Sequence, residues 1–433
     1  MSPVEASALM FGTFGVLIVL RIPVSFALGL ACVPIAVLDD RLTPVLLLNE
    51  MWKSYNSFIL LAVPFFLLAA NLMNAAGITD RLVKLAQATV GHLPGGLGHV
   101  NVLVSMLFAG ISGSSTADAA GIGSLMIPAM KKQGFDTSFA VAITACSSVM
   151  GVIIPPSIMM VVWGGLMSVS IGGLFLAGIV PGALIALLMM GTVLVYAKRR
   201  NYPVYQRAST REFLVALGRA SLALVTPAII VGGIVGGLFT PTEASVIAVI
   251  YSAVLGGLIY RSIGLREFPK VLYDSARFAA ISLFCIGTAS AFGWLLAYYR
   301  VPQALVDVMA EWGTGRAMTG ILIAASFLFV GMFIDAIPAI IVLGTVLLPL
   351  ADKVDMHPIH FAIIGVISLA FGLVTPPYGL CLLISCSLGE VEVVHVLKDV
   401  GIILVPMLIL LILVILFPEF VLFLPRLIAP QFL

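Results

Sequence analysis

Residues 108–124 read FAGISGSSTADAAGIGS and separate two apolar segments, VNVLVSML (100–107) and LMIPAM (125–130). Glycines, hydroxyl side chains and a carboxylate are costly inside the hydrocarbon of a bilayer unless protein groups or bound ions satisfy them. The stretch therefore predicts a break in a membrane-embedded helix, with a turn built for something other than lipid.

The composition around this stretch is that of an integral membrane protein. The chain has 433 residues, of which 61% are apolar and 10% charged, against roughly 25% charged in soluble domains. No HExxH, P-loop or GxSxG motif is present, so the usual signatures of soluble enzymes are missing. The five cysteines lie in apolar segments without metal-ligand spacing and read as core residues. No cleavable leader is evident, and Met1 is expected to begin the mature protein.

Ten apolar segments are long enough to be read as spans. They lie at about 4–20, 23–39, 55–76, 137–168, 172–198, 220–239, 242–260, 274–298, 358–388 and 398–418. Two further segments, 97–133 and 317–353, are interrupted midway and are interpreted as re-entrant hairpins. This order predicts scaffold spans in 1–76, a first repeat in 77–200, scaffold spans with a cytoplasmic loop in 201–273, and a second repeat in 274–433.

The distribution of basic residues predicts the orientation. The loop at 198–219 holds six Lys and Arg, and counting spans from it places 16 of the 22 basic residues on the same, cytoplasmic side. The N-terminus is then expected outside.

An internal repeat relates the two hairpins. A shift of 221 residues aligns 107–156 with 328–377 without a gap, and 11 of the 50 pairs are identical, including Gly151 with Gly372 and Pro155-Pro156 with Pro376-Pro377. The predicted topology turns the two hairpins in opposite directions across the membrane. The pattern is typical of inverted-repeat transporters, whose sites lie on discontinuous helices near the bilayer midplane.

The first hairpin tip, residues 112–118, combines glycine with hydroxyl oxygens, which are ligands that suit a hard cation. The helix that restarts after the tip points its N-terminal amides at the turn, where an anionic group can bind. The alternative is that Ser and Gly only permit close helix packing.

The segments GVIIPPS (151–157) and GLVTPPY (372–378) each place a double proline inside a span. Proline removes backbone donors and disfavours helix at the preceding residue. The carbonyl groups of 151–154 and 372–375 are therefore expected to be free for an ion or substrate; a simple kink is the alternative.

Two carboxylates stand out at membrane depth. Asp335 in GMFIDAIPAI is a functional candidate that could also cap the following helix. Asp118 is a weaker candidate, because its repeat mate is Ala339 whereas Asp335 aligns with Ser114. Glu243 reads instead as part of a helix cap. The amphipathic stretches 79–93 and 301–313 precede the hairpins and suit interfacial arm helices, or else solvated connectors.

Together GISGSSTADAAGIGSLMIPAM, GVIIPPS, GMFIDAIPAI and GLVTPPYG resemble the large membrane subunit of tripartite ATP-independent periplasmic (TRAP) transporters, over essentially the whole chain. The resemblance implies an all-α, polytopic, elevator-type transporter in the bacterial inner membrane. It implies sodium-coupled uptake of a carboxylate such as a dicarboxylate or sialic acid. The expected partners are a small four-span membrane subunit and a periplasmic substrate-binding protein, with no organic cofactor and no nucleic acid.

The resemblance also implies where the ions bind, and the hydroxyls and helix N-terminus of the first tip are the interpretation for the substrate carboxylate. One sodium site is expected between the first tip and first break, and a second between the second tip and second break. Their candidate residues are Ser112, Gly113, Ser114, Gly151, Ile153, Gly331, Asp335, Gly372 and Thr375. The candidate substrate residues are Ser114, Ser115, Thr116, Pro155, Pro156, Ser157, Thr375, Pro376 and Pro377.

Two alternatives remain open at this stage. A stand-alone sodium- or proton-coupled carboxylate carrier would need no binding protein. A membrane-embedded hydrolase could use Ser114 or Ser115 with Asp118, although no histidine or lysine lies near the tip in the sequence.

Overall fold

The computed structural model describes residues 1–200, 202–264, 266–311 and 315–433. All regular structure in these ranges is helical. The helices of the first half are α1 (Pro3–Val19), α2 (Val24–Ala31), α3 (Val33–Leu38), α4 (Pro44–Tyr55), α5 (Ala62–Ala75), α6 (Ile78–Val90), α7 (Gly96–Ser112), α8 (Ser115–Lys132), α9 (Thr137–Ser148), α10 (Met150–Ile153), α11 (Ile158–Met167) and α12 (Ile171–Arg200).

The helices of the second half are α13 (Thr210–Val235), α14 (Pro241–Val254), α15 (Phe268–Tyr298), α16 (Val301–Glu311), α17 (Arg316–Gly331), α18 (Ala336–Lys353), α19 (Pro358–Gly372), α20 (Leu380–Gly389), α21 (Val393–Leu416) and α22 (Glu419–Ile428). A π-helical turn, Leu255–Ile259, extends α14. Within the described ranges, seven helices are long and apolar enough to cross a membrane, or eight if the bent segments Pro44–Tyr55 and Ile59–Ala75 form one span.

The predicted all-α, polytopic class is confirmed, and both interrupted segments are helix–turn–helix hairpins. They are α7–α8 and α17–α18, and the two double prolines separate α10 from α11 and α19 from α20. An offset of 221 residues carries both ends of α8 onto the ends of α18. The inverted relation of the halves and an elevator motion stay predictions.

The sequence interpretation was wrong about two boundaries. Helix α4 lies where no element was expected, because Thr43 caps its first turn and Pro44 begins it. Helix α13 begins at Thr210, well inside the predicted loop, because Ser209 and Glu212 form a capping box there. Helices α6 and α16 lie at the two predicted amphipathic stretches; positions 312 and 313 of the second stretch lie outside the described residues.

The hairpins and breaks pack into one body. Helix α8 lies against α9 and α20, and α17 lies against α19. A buried aromatic cluster joins the halves: Trp163 of α11 has its ring centroid 5.5 Å from Phe327 of α17 and 5.4 Å from Phe361 of α19. The broken helix of the first half is therefore fixed on the hairpin and broken helix of the second.

A buried polar ladder aligns α7 with α9. Asn101 donates to the Thr144 hydroxyl at 2.6 Å and accepts from Ser147, whose hydroxyl lies 2.8 Å from that of Ser105. Buried polar groups need such partners, and their geometry permits few alternatives. The ladder therefore sets the register of the first hairpin on the helix that leads into the break.

A second polar cluster, which we call the Arg200 clasp, holds the other end of α9. Arg200 binds Asp136 at 2.7 Å and the buried Asp399 of α21 at 3.0 Å. Tyr202 donates to Asp136, which lowers the pKa of that carboxyl, with Arg200 as a further cause. Asp399 also accepts from Ser138. The clasp joins α9, α12 and α21.

Candidate functional site

The first hairpin turns at Gly113, whose φ of +64° is strained for residues with a side chain. Ser114 caps α8 by accepting from the backbone N–H of Ala117 at 3.4 Å, and its hydroxyl lies 3.1 Å from that of Thr116. Both hydroxyls are only partly buried. The tip therefore presents two hydroxyl groups and the N-terminus of an 18-residue helix to one side of the turn.

The inner side of the same tip holds a fully buried carboxylate. Asp118 is 0% exposed, and the Ser112 hydroxyl donates to its Oδ1. Its Oδ2 atom and the hydroxyl of buried Ser115 have no hydrogen-bond partner in the described part of the chain. Two buried oxygen atoms at the tip therefore lack the compensation that burial ordinarily demands.

The first break lies directly against this tip. The Gly113 carbonyl accepts from Ile158 N at 3.2 Å. A methyl group added at Gly151 would lie 2.5 Å from Asp118 Oδ2 and 2.9 Å from the carbonyl carbon of Ser114. Gly151 is therefore required for this close approach, and the structure brings the first tip and the first break together as expected.

The peptide bond between Pro155 and Pro156 is cis, and both prolines are buried. Ser157 is buried too and caps α11: it accepts from Met160 N at 3.2 Å and donates to the Val152 carbonyl at 2.7 Å. The expectation that every carbonyl of 151–154 is free was therefore wrong, because Ser157 occupies that of Val152. The Ile153 carbonyl faces Gly178 of α12.

The second tip differs from the first in the placement of its acid. Asp335 caps α18 by accepting from Ala336 N at 2.8 Å, as the capping interpretation expected. Asp335 is accessible from outside the protein, whereas Asp118 is fully enclosed. One tip therefore encloses its carboxylate, whereas the other leaves it open.

The second break contacts the second tip through backbone atoms. The Met332 carbonyl accepts from Tyr378 N at 3.2 Å, and a methyl group at Gly372 would lie 2.6 Å from the carbonyl carbon of Gly331. The Gly372 carbonyl itself accepts from Thr375 N at 3.0 Å. The Leu373 carbonyl accepts from Cys381 N at 2.9 Å, so the expectation of free carbonyls over 372–375 was wrong for Gly372 and Leu373.

The Thr375 hydroxyl donates to the Phe371 carbonyl at 2.7 Å, which satisfies the last turn of α19. The bond between Pro376 and Pro377 is cis, like its repeat mate. Pro377 and Tyr378 are exposed, however, whereas the equivalent Pro156 and Ser157 are buried. The two breaks share a backbone design but differ in access.

One backbone hydrogen bond fixes each tip to its break, and the sequence interpretation missed both bonds. Contacts between main-chain atoms do not require particular side chains, so no sequence pattern indicates them. The sequence interpretation also missed Asp399, although a lone carboxylate in the most apolar span is the signal that singled out Asp335. Within the described residues no three His, Cys, Asp or Glu side chains converge on a metal position. Any cation at the tips would bind through hydroxyl, carbonyl and single carboxylate oxygens.

Comparison with known proteins agrees with this architecture. Residues 11–420 match the family described as tripartite ATP-independent periplasmic transporter, DctM component. The chain is 37% identical over 417 residues to the sialic acid TRAP transporter large permease protein SiaM of Vibrio cholerae, covering 96% of this chain and 97% of that one. It is 37% identical over 338 residues to the C4-dicarboxylate large permease protein DctM of Pseudomonas aeruginosa, covering 78% and 79%.

Among solved structures, the fold is similar to that of the YdaH transporter of Alcanivorax borkumensis, with a TM-score of 0.58, 13% identity and 87% of each chain covered. At this identity the similarity shows the fold alone. The family match and the identity to large permease proteins confirm the resemblance read from the motifs and the expectation that the chain is not an enzyme. The protein belongs to the DctM family, the large membrane components of tripartite ATP-independent periplasmic transporters.

Proposed function

We propose that this protein takes up an organic carboxylate across the bacterial inner membrane, driven by an inward sodium gradient. In this proposal a periplasmic binding protein delivers the substrate and a small four-span subunit supports the scaffold. Two relatives are named for sialic acid and for C4-dicarboxylates. Both kinds of compound carry a carboxylate, which is the group that the first tip is suited to bind. The family is tripartite, which argues against the stand-alone carrier.

The observation that carries the sodium proposal is the unsatisfied oxygen pair at the first tip. Asp118 Oδ2 and the Ser115 hydroxyl are buried without a partner, and Gly151 lies against the carboxylate. A buried carboxylate is tolerated when a cation compensates its charge. We therefore assign this space to a sodium ion, with backbone oxygens of the tip and break as further ligands.

The second ion is assigned to the space between Gly331 and Asp335 of the second tip and Gly372 and Thr375 of the second break. Support comes from the backbone approach of Gly372 to Gly331 and from a carboxylate beside it that no basic side chain of the described residues pairs with. Because Asp335 is exposed, this position can exchange an ion with solvent.

The substrate carboxylate is assigned to the outer side of the first tip. Ser114 and Thr116 present partly buried hydroxyls there, beside the free amides of the first turn of α8. Ser115 turns inward and fits the ion better than the substrate. Pro155, Pro156 and Pro377 would contribute shape to the site rather than hydrogen-bond donors.

In this mechanism ion binding precedes substrate binding. Sodium neutralises the carboxylate of each tip and fixes each tip on its break, which completes the substrate site. The body formed by both hairpins and both broken helices then moves as one unit against a scaffold that includes α5 and α14. The extensive packing of α8 on α20 and α9 supports a single moving body.

The test is uptake into proteoliposomes that contain the large and small subunits, with the cognate binding protein added outside. We expect uptake only with an inward sodium gradient, and none when potassium replaces sodium. Uptake driven by a proton gradient alone would exclude the ion assignment, and full uptake without the binding protein would restore the stand-alone carrier.

A further inference from the structure

A cavity of about 1260 Å³ lies away from both tips, between α6, the segment 202–209, α13 and the end of the helix that starts with α14. None of its lining residues belongs to a hairpin tip or a break. The cavity lies between α6, the arm helix that leads into the first hairpin, and α13, which belongs to the proposed scaffold.

The cavity is lined by an excess of positive charge. Five basic side chains and two acidic ones line it: Arg81, Lys84, Arg207, Arg211 and Arg219, against Asp80 and Glu212. Glu212 is already engaged in the helix cap with Ser209. Lys84, Arg207 and Arg211 form no ion pair within the described residues. Unpaired like charges around one cavity repel one another, so an anion that binds there relieves their repulsion.

Arg81 is held in place at the inner wall. Its Nη1 atom donates to the carbonyls of Ala76 at 2.9 Å and Gly77 at 2.8 Å, and its guanidinium lies 3.7 Å from the centroid of the Tyr260 ring. A stacked guanidinium loses little freedom on binding an oxyanion and keeps further N–H donors for it. The cavity thus has one fixed anion-binding group and several mobile ones.

The wall formed by α13 carries apolar side chains beside its basic ones, and apolar side chains continue along the exposed face of that helix. Val215 and Leu222 line the cavity, and Leu214 and Val225 are exposed on the same helix. Helix α13 is the least buried of the seven apolar spans. A ligand with a phosphate at the basic end and hydrocarbon along α13 would satisfy both surfaces. Basic pockets between spans, on the side rich in Lys and Arg, suit anionic lipid headgroups.

We propose that this cavity binds the headgroup of an anionic phospholipid, whose acyl chains lie along α13 and whose phosphate bridges the arm helix α6 to the scaffold. This site is independent of the coupling ion and of the transported substrate.

The experiment measures lipid binding to the purified two-subunit complex in detergent by native mass spectrometry. The probe is anionic phosphatidylglycerol, and the comparison is phosphatidylcholine, whose zwitterionic headgroup has no net charge. The variant is the triple Lys84→Gln, Arg207→Gln, Arg211→Gln, which leaves Arg81 and its contacts intact. The matched control is Arg266→Gln, Lys270→Gln, Arg277→Gln, which removes the same charge from positions that do not line the cavity.

Each basic group near an anionic headgroup contributes about fivefold in affinity, so the cavity variant should bind phosphatidylglycerol on the order of 100-fold more weakly. The control should bind as wild type does. Equal loss in both variants, or equal retention of phosphatidylcholine by wild type, would overturn the site. A third outcome concerns inorganic phosphate. If millimolar phosphate displaces the lipid and raises the apparent Tm of the complex as much as the lipid does, the cavity binds a soluble phosphate compound, and the proposal is overturned.

Discussion

Gly372 and Gly331 approach so closely that a methyl group on the first would lie 2.6 Å from the carbonyl carbon and 2.8 Å from the Cα of the second. Real side chains do not tolerate such contacts with backbone. The second break and the second tip can thus touch only because both residues at the contact are glycine. A side chain at Gly372 must push the tip away from the break.

Gly372→Ala is therefore expected to abolish uptake while the protein still inserts and purifies. The matched control is Gly401→Ala on α21, where an added methyl group meets nothing within 4 Å. Uptake into proteoliposomes and size-exclusion profiles would be compared for both. Normal uptake by the Gly372 variant would show that the tip and break need not touch.

Asp118→Asn is expected to raise the sodium concentration needed for half-maximal uptake by on the order of tenfold, because a charged ligand is replaced by a neutral one. Asparagine keeps the size of the side chain and can still accept from Ser112. Ser124→Ala, at an exposed hydroxyl bonded only to the local Gly121 carbonyl, is the control. An unchanged sodium dependence would remove Asp118 from the ion site.

Asp335→Asn separates capping from ion binding, because asparagine caps helices as well as aspartate does. Thermal stability should stay close to wild type while uptake falls. The measurement pairs an apparent Tm in detergent with uptake in proteoliposomes. A variant that transports at the wild-type rate would show that Asp335 is only a cap.

The Arg200 clasp predicts unequal losses of stability. Arg200→Gln leaves the buried Asp399 without its cation, which costs about 3 kcal/mol on the usual scale for a broken buried pair. Asp136→Asn removes the partner that is 53% exposed and should cost under about 1 kcal/mol. Apparent Tm values in detergent would rank the variants; equal shifts would contradict the assignment of Asp399 as the buried end.

The hydrogen bonds of Asp39 predict a pH dependence of stability. Tyr299 donates to Asp39 at 2.7 Å and Arg41 N at 3.1 Å, and these bonds lower the pKa of the carboxyl. A lowered pKa in the folded state contributes stability above the ordinary value of about 3.9, and that contribution is lost as the pH falls through the folded pKa.

The apparent Tm of wild type should therefore exceed that of Asp39→Asn at neutral pH. The difference should shrink as the pH falls below about 4 and vanish below the folded pKa of Asp39. Asp40→Asn, at an exposed neighbour, is the control. A difference that is independent of pH would show that the side chain acts through packing and not through its charge.

The repeat and the helix breakers predicted the hairpins and the breaks, because glycine, proline and polar residues at membrane depth have few structural explanations. The helix start set by the capping box of Ser209 and Glu212 was missed, because the span was predicted from its apolar segment, which begins about ten residues later. The carbonyl groups were misjudged because Ser157 and Thr375 N reach them only in the folded geometry. Pairing across the halves, as between Arg200 and Asp399, depends on tertiary structure and has no local pattern.

The Lys131 ammonium of α8 donates to the Gly389 carbonyl at the end of α20, 258 residues away. The first hairpin thus packs on the second broken helix as well as on the break of its own half. Chimeras that join the first half of one paralogue to the second half of another should consequently fail at this seam, unless both faces of the α8–α20 contact come from the same parent.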